Sequence, residues 1–172
     1  TFAGSDDYAL GTKVAEHLCA HLGGRGTVLL IAGPAESPTG IPRMRAFQDV
    51  LARHPGLRAI GPLQGAFHRD RARQETERWL EEDGAPLDAI LAANDAMALG
   101  AQDALSAAGR DVIASGVNAI PEAIEAIKAG TMLATADFDA MNLSALATEC
   151  ALRHLRGEAV PEQVDLPVQL VE

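Results

Sequence analysis

Apolar positions along the chain follow two patterns that take turns. "TVLLIA" (27–32) is a continuous apolar run, as expected of a strand buried on both faces, and "LDAILAA" (87–93), with its apolar run Ala89 to Ala93, reads as another long strand. Around them apolar residues recur every three or four positions, as on helices with one buried face. The spacing predicts a first helix from about Asp7 to Leu22, with Asp6 or Asp7 as its cap and Gly23-Gly24 as its stop. After strand 27–32 and the turn-rich loop "GPAESPTG" (33–40), a helix is predicted from about Ile41 to His54, with Met44, Phe47 and Leu51 on one face. "LRAIGPL" (57–63) reads as a strand broken at Gly61-Pro62, and Arg69 to Asp83 as a charged helix with Trp79 and Leu80 inward.

Strand 87–93 leads to a helix over Ala96 to Ala108, and "DVIASGV" (111–117) to a short helix opened by Pro121 and closed by Gly130. "TMLATADF" (131–138) is a strand, Ala140 to Arg156 a helix, and "VDLPVQLV" (164–171) a strand interrupted by Pro167. A proline there points to an edge or to a crossing between units. Strands separated by helices imply an α/β fold with a mainly parallel sheet.

In such sheets ligands bind beyond the carboxyl ends of the strands. Those positions hold Arg43 and Arg45 after the first long strand and Phe67, His68 and Arg69 after the second. Asn94 and Asp95 follow the third, Asn118 the fourth, and Asp137, Phe138 and Asp139 close the fifth. Hydroxyl groups both donate and accept, so Asn, Asp and Arg suit a sugar or polyol, and an aromatic ring suits its CH face. Each residue also has a structural reading. Asp95 directly precedes a helix and reads as its N-cap. Asn94 lies one residue earlier, where capping does not need it, and is expected to face a ligand or bond the neighbouring backbone. Arg43 and Arg45 fit a solvated helix face as well as a ligand contact, Phe67 fits the core, and Asn118 fits a turn.

Charge and composition narrow the function. The net charge is −10, which disfavours contact with a phosphate backbone, so no nucleic-acid partner is expected. No apolar run approaches the roughly 20 residues of a membrane helix. Aromatic residues make up 3%, leaving few rings for stacking. Cys19 and Cys150 lie in helical patterns and read as buried free thiols. "GGRGT" (23–27) follows a helix and lacks a Lys-Ser/Thr ending, so it is not a phosphate loop; no G-x-S-x-G is present. His17 and His21 share a helix face without a third ligand, so no metal or cofactor is expected. Asp137 and Asp139 could do acid–base work but have no partner nucleophile.

The stretches "GSDDYALGTKVAEHL", "RMRAFQDVLARHPGL", "ILAANDAMALGAQDALSAAGRDV", "GVNAIPEAIEAIKAG" and "VDLPVQLV", in that order, resemble periplasmic sugar-binding proteins of the ribose-binding type, the receptors of ABC importers. The resemblance implies a parallel-sheet, three-layer lobe of the periplasmic-binding-protein type I fold, lacking most of the first lobe. Residues 4–137 would be the second lobe, 138–166 the helix and strand returning to the first, and 167–172 the strand crossing back. It implies non-enzymatic binding of a sugar or polyol, closure of two lobes, a membrane permease as partner and a periplasmic location. Carried over residue by residue, its ligand contacts fall on Arg43, Phe67, Asn94, Asn118 and about Phe138, with Asp137 beside it. Asn118 replaces the family's usual Asp and Phe138 its common Gln, which puts ribose in doubt. An effector lobe of a lac-repressor-type regulator is the alternative. The chain also reads as a truncated form or the tail of a longer precursor. Residues 1–172 alone are then expected to bind sugar weakly or not at all, and helix 140–156, without its partner, to be free for self-association.

Overall fold

In chain order the elements are β1 (Phe2–Ser5), α1 (Asp7–His21), β2 (Arg25–Ala32), α2 (Gly40–Ala52), β3 (Gly56–Gln64), α3 (Arg69–Glu82) and β4 (Ala89–Ala92). They continue with α4 (Asp95–Ala107), β5 (Ile113–Val117), α5 (Pro121–Lys128), β6 (Met132–Asp137), α6 (Ala140–Leu155), β7 (Gln163–Leu166) and β8 (Gln169–Val171). The structure, a computed structural model, describes all 172 residues.

Six strands form one sheet in the order β3-β2-β4-β5-β6-β8. The first five run parallel, and β8 pairs antiparallel with β6. The long apolar runs occupy its middle: Val28 to Ala32 and Ala89 to Ala92 are buried, as expected of strands covered on both faces. α1 and α2 cover one face, and α3, α4 and α5 the other. Leu10, Val14 and Leu18 recur every fourth residue on the buried side of α1, and Phe47, Val50 and Leu51 complete that layer from α2. Met97 and Leu105 of α4 fill the opposite layer.

Four local differences from the sequence reading have physical causes. The expected break at Gly61-Pro62 is a register irregularity within β3, whose edge position tolerates a proline. β4 starts at Ala89 because the Asp88 carboxylate turns back to accept the Thr27 amide at 2.6 Å. α4 starts at Asp95, one residue earlier than predicted. β1 was not expected, since four residues carry too little pattern; it pairs in parallel with β7 as a separate two-stranded sheet.

Pro167 separates β7 from β8, which belong to different sheets, in line with the crossing read from the sequence. α6 packs against β1, and Cys150 is its one buried residue, with Met141 and Leu155 more than four-fifths exposed. Both cysteines are free and buried.

Candidate functional site

The carboxyl ends of β2 to β6 all open on one rim of the sheet, and a hydrogen-bonded group of side chains gathers there. It starts from α1. Asp6 caps that helix, accepting the amides of Tyr8 (2.9 Å) and Ala9 (3.0 Å), so Asp7 in the first turn is released from capping. Gly11, one turn on, lets α1 approach α2 closely: a Cβ there would lie 2.8 Å from the Arg43 carbonyl oxygen. That approach sets Asp7 beside the buried Arg43, whose Nε donates to Asp7 Oδ1 at 2.7 Å and whose Nη2 forms an ion pair with the same oxygen at 2.7 Å.

Arg43 Nη1 then reaches across the strand ends to the Ala93 carbonyl (2.9 Å) and to Asn118 Oδ1 (3.1 Å). One guanidinium thereby ties together α1, α2 and the residues that follow β4 and β5. A planar fork of donors suits this better than a flexible lysine. The sequence reading left Arg43 open between a solvated face and a ligand contact. It is a buried hub at 6% exposure, whereas Arg45 is exposed and pairs loosely with Asp49 at 3.7 Å.

The cap expected at Asp95 is supplied by Asn94. Asn94 has extended backbone and caps α4, its Oδ1 accepting the Met97 amide at 2.9 Å while its Nδ2 donates to the Phe67 carbonyl at 3.2 Å. Asp95 is not the cap. It is the first helical residue, fully buried, and its carboxylate points under the sheet rim to accept the Thr135 hydroxyl (2.7 Å) and the Ile120 amide (3.0 Å). Burial pushes its carboxyl up to about 6, against the opposing pull of those hydrogen bonds and of Arg43. The cap rule ranks Asn and Asp alike, so only the distant partner Thr135 distinguishes them.

Asn118 sits at φ 119°, followed by Ala119 at φ 53°, both in the left-handed region that non-glycine residues rarely occupy. Its amide donates to the Ala136 carbonyl at 2.9 Å, which places the end of β6 next to it. Asp137 Oδ1 accepts the Asp139 amide at 2.7 Å, and Asp139 caps α6. The half-buried Phe138 packs against the core. Phe67, also half-buried and at φ 64°, lays its ring against Gly33 and Gly40, where side chains would overlap it. Hydrogen bonds therefore form two pairs, Arg43 with Asn118 and Asn94 with Phe67, brought together by the bond from Arg43 to the Ala93 carbonyl next to Asn94, and the side chains of Asp137 and Phe138 belong to neither. Asp7 and Asp95 were missed as members of the group. The doubled acid in "SDD", one more than a cap needs, was the available signal for Asp7.

Valences remain on this rim for a ligand. Asn118 uses its oxygen and keeps both amide protons. Asn94 Nδ2 keeps one proton, and Asp7 and Asp137 each keep Oδ2. Donors and acceptors of this kind can each meet a hydroxyl. A concavity of about 600 Å³ lies at the opposite ends of the strands, lined by Gln102, Asp103, Arg110 and Thr131 among others, away from this group. His17 pairs with Glu172 at 3.2 Å, and no cluster of metal-ligating side chains is present.

Comparison with known proteins identifies relatives of the whole chain and of its fold. A xylitol-binding protein of Mycolicibacterium smegmatis is 31% identical over 131 residues, covering 76% of this chain and 38% of its own. The structure superimposes on a periplasmic solute-binding protein of an ABC transporter from Actinobacillus succinogenes, solved with D-allose, at TM-score 0.94 and 28% identity, covering 100% of this chain and 60% of that one. It matches an ABC transporter solute-binding protein from Bacillus halodurans, solved with myo-inositol, at TM-score 0.93 and 32% identity, covering 98% and 58%. The chain thus spans well under two thirds of the length of these relatives. The model of the periplasmic binding protein domain matches residues 1–159, and the chain belongs to that family.

Proposed function

We propose that the chain supplies one wall of a receptor that holds a sugar or sugar-like polyol and passes it unchanged to an ABC importer in the periplasm. The observation that carries this is Arg43, held by three partners at the strand ends, with unused donors and acceptors on Asn94, Asn118, Asp7 and Asp137 around it. Arg43 is already matched by Asp7, which favours an uncharged, polyhydroxylated ligand over a carboxylate. Relatives named for xylitol, or solved with myo-inositol or D-allose, fit the same chemistry. Asn118, bringing amide protons where proteins of the ribose-binding type usually carry a carboxylate, would donate to a hydroxyl oxygen.

On this reading residues 4–137 form the second lobe, 138–166 return to the first, and 167–172 cross back. The separate β1–β7 pair and the change of sheet at Pro167 support that division. Ligand would be enclosed by hinge closure of two lobes, with a membrane permease as the partner of the closed form. The exposed face of α6 would pack on the first lobe, or self-associate in its absence.

Titration of ¹⁵N-labelled chain with xylitol, myo-inositol, D-allose and D-ribose tests the reading. One wall alone should bind weakly, so ligand to about 50 mM is needed to detect an affinity of only about 3–4 kcal/mol. Shifts should concentrate on the side-chain signals of Arg43, Asn94 and Asn118, and vanish in Arg43→Met. If none of these polyols moves those signals, or if the shifts fall elsewhere, the proposal is overturned.

A further inference from the structure

The turn that presents Asn118 is held from beneath by side chains that do not reach the rim. We infer that Asp95 and Thr135 form a bracket that positions Asn118, and through it Arg43, for ligand, and that its hydrogen bonds rearrange when Asp95 takes up a proton. The inference rests on the proposed binding role of the rim.

Three observations carry it. First, Asn118 and Ala119 both have positive φ, a conformation costing about 1–3 kcal/mol per residue, which persists only where surrounding contacts impose it. Second, those contacts come from the bracket. Asp95 accepts the Ile120 amide at 3.0 Å, Thr135 Oγ1 accepts the Ala119 amide at 3.1 Å, and the Thr135 hydroxyl donates to Asp95 at 2.7 Å. Both amides following Asn118 are thus held by two side chains brought from β6 and the start of α4. Third, the cavity for the carboxylate is built into β5: a side chain at Gly116 would overlap Asp95 Oδ1. The arrangement spans residues 95 to 135 and leaves no room for a shifted Asp95.

Ionisation matters because of donor counting. As a carboxylate, Asp95 offers only acceptors, and both groups aimed at it are donors. A proton on Oδ2 faces the Ile120 amide, which can only donate, and a proton on Oδ1 reaches Thr135 only if that hydroxyl turns to accept, so protonation weakens the Ile120 bond or reverses the Thr135 one. Arg43 of α2 is the charged side chain acting on Asp95, and it is itself paired with Asp7 of α1. β5, α5 and β6 face it with Gly116, the Ile120 amide and Thr135. The carboxyl titrates near 6, so the change falls in a mildly acidic range.

The test follows the ¹⁵N signals of Ala119, Ile120, the Asn118 side chain and Arg43 Nε from pH 8 to pH 4.5. In the wild type these four should move together, with one midpoint near pH 6. In Asp95→Asn the midpoint should disappear. Thr135→Val should speed exchange of the Ala119 and Ile120 amides at least about tenfold relative to amides of β2, while Thr135→Ser restores protection. Independent titrations of the four signals, or unaltered exchange in Thr135→Val, would overturn the bracket; the wild-type arm decides even if a variant does not fold. Xylitol and myo-inositol titrations at pH 7.5 and pH 5 provide the second readout. Weakening at pH 5 that Asp95→Asn abolishes supports positioning for ligand, and pH-independent affinity refutes it. A coupled titration without polyol binding at either pH would leave the bracket standing, remove its role in binding and overturn the function proposed above instead.

Discussion

Replacing Asn94 separates its capping role from its rim role. Asn94→Ala removes the oxygen that accepts the Met97 amide, a loss typically worth about 1 kcal/mol at an N-cap. It also removes the amide that donates to the Phe67 carbonyl at 3.2 Å, a longer bond worth about 0.5–1 kcal/mol. The two sum to about 1.5–2 kcal/mol, or about 3–8 °C in Tm for a chain of this size. Asn94→Ser keeps a capping oxygen of equal rank and loses only the amide, so it should cost less than about 1 kcal/mol. Urea denaturation at pH 7.5, with an unchanged m-value, measures both. Polyol-induced shifts at the rim should weaken in both variants, because both lose the Nδ2 donor. Equal destabilisation by Ser and Ala would refute the capping argument, and so would an Ala variant as stable as the wild type.

Three further outcomes follow from the same structure. Because burial raises the folded-state pKa of Asp95 from 3.8 to about 6, the native state binds a proton that the unfolded chain has released, and its contribution falls as pH rises from about 4 to 6. Stability of the wild type relative to Asp95→Asn should therefore drop by about 2–2.5 kcal/mol between pH 4 and pH 7 in paired urea melts, and a flat difference would contradict it. Gly100→Ala, which on helix propensity alone should stabilise α4 by about 1 kcal/mol, should instead destabilise by about 1–3 kcal/mol, because the new Cβ would meet the Arg69 backbone carbonyl of α3. Ser115→Ala should raise stability by about 1 kcal/mol in thermal melts, since its hydroxyl oxygen is buried without a partner in the middle of β5.

What was legible in the sequence was whatever repeats at short range. The period of the apolar residues placed all six helices, and the long runs placed β2 and β4 at the centre of the sheet. Pro167 marked the point where the chain leaves one sheet for another. The rule that ligands gather beyond strand ends brought Arg43, Asn94 and Asn118 to notice. Misreadings arose where a residue's role depends on a partner far along the chain. Asp95 and Asn94 are adjacent and equally good caps, and what separates them is Thr135, 40 positions away. Asp7 gains its role from Arg43, 36 positions away, and only because Gly11 lets two helices meet. Phe67 reads as a platform or as core, and the choice falls to two glycines, Gly33 and Gly40, that admit its ring.

These long-range dependencies are concentrated at the rim for a physical reason. Strand ends are where buried backbone runs out of sheet partners, so each group there needs a side chain from elsewhere. Arg43 satisfies the Ala93 carbonyl, Asn94 the Phe67 carbonyl, and Asp95 with Thr135 the amides after Asn118. The groups that complete the fold at this edge are therefore the same groups that hold donors and acceptors in fixed positions. On the proposed function such an edge would need little rearrangement to bind a polyol, and a substitution made there for affinity would also register in stability. Asn94→Ala is the simplest case: its effect on ligand can be read only after its cost to the α4 cap has been measured.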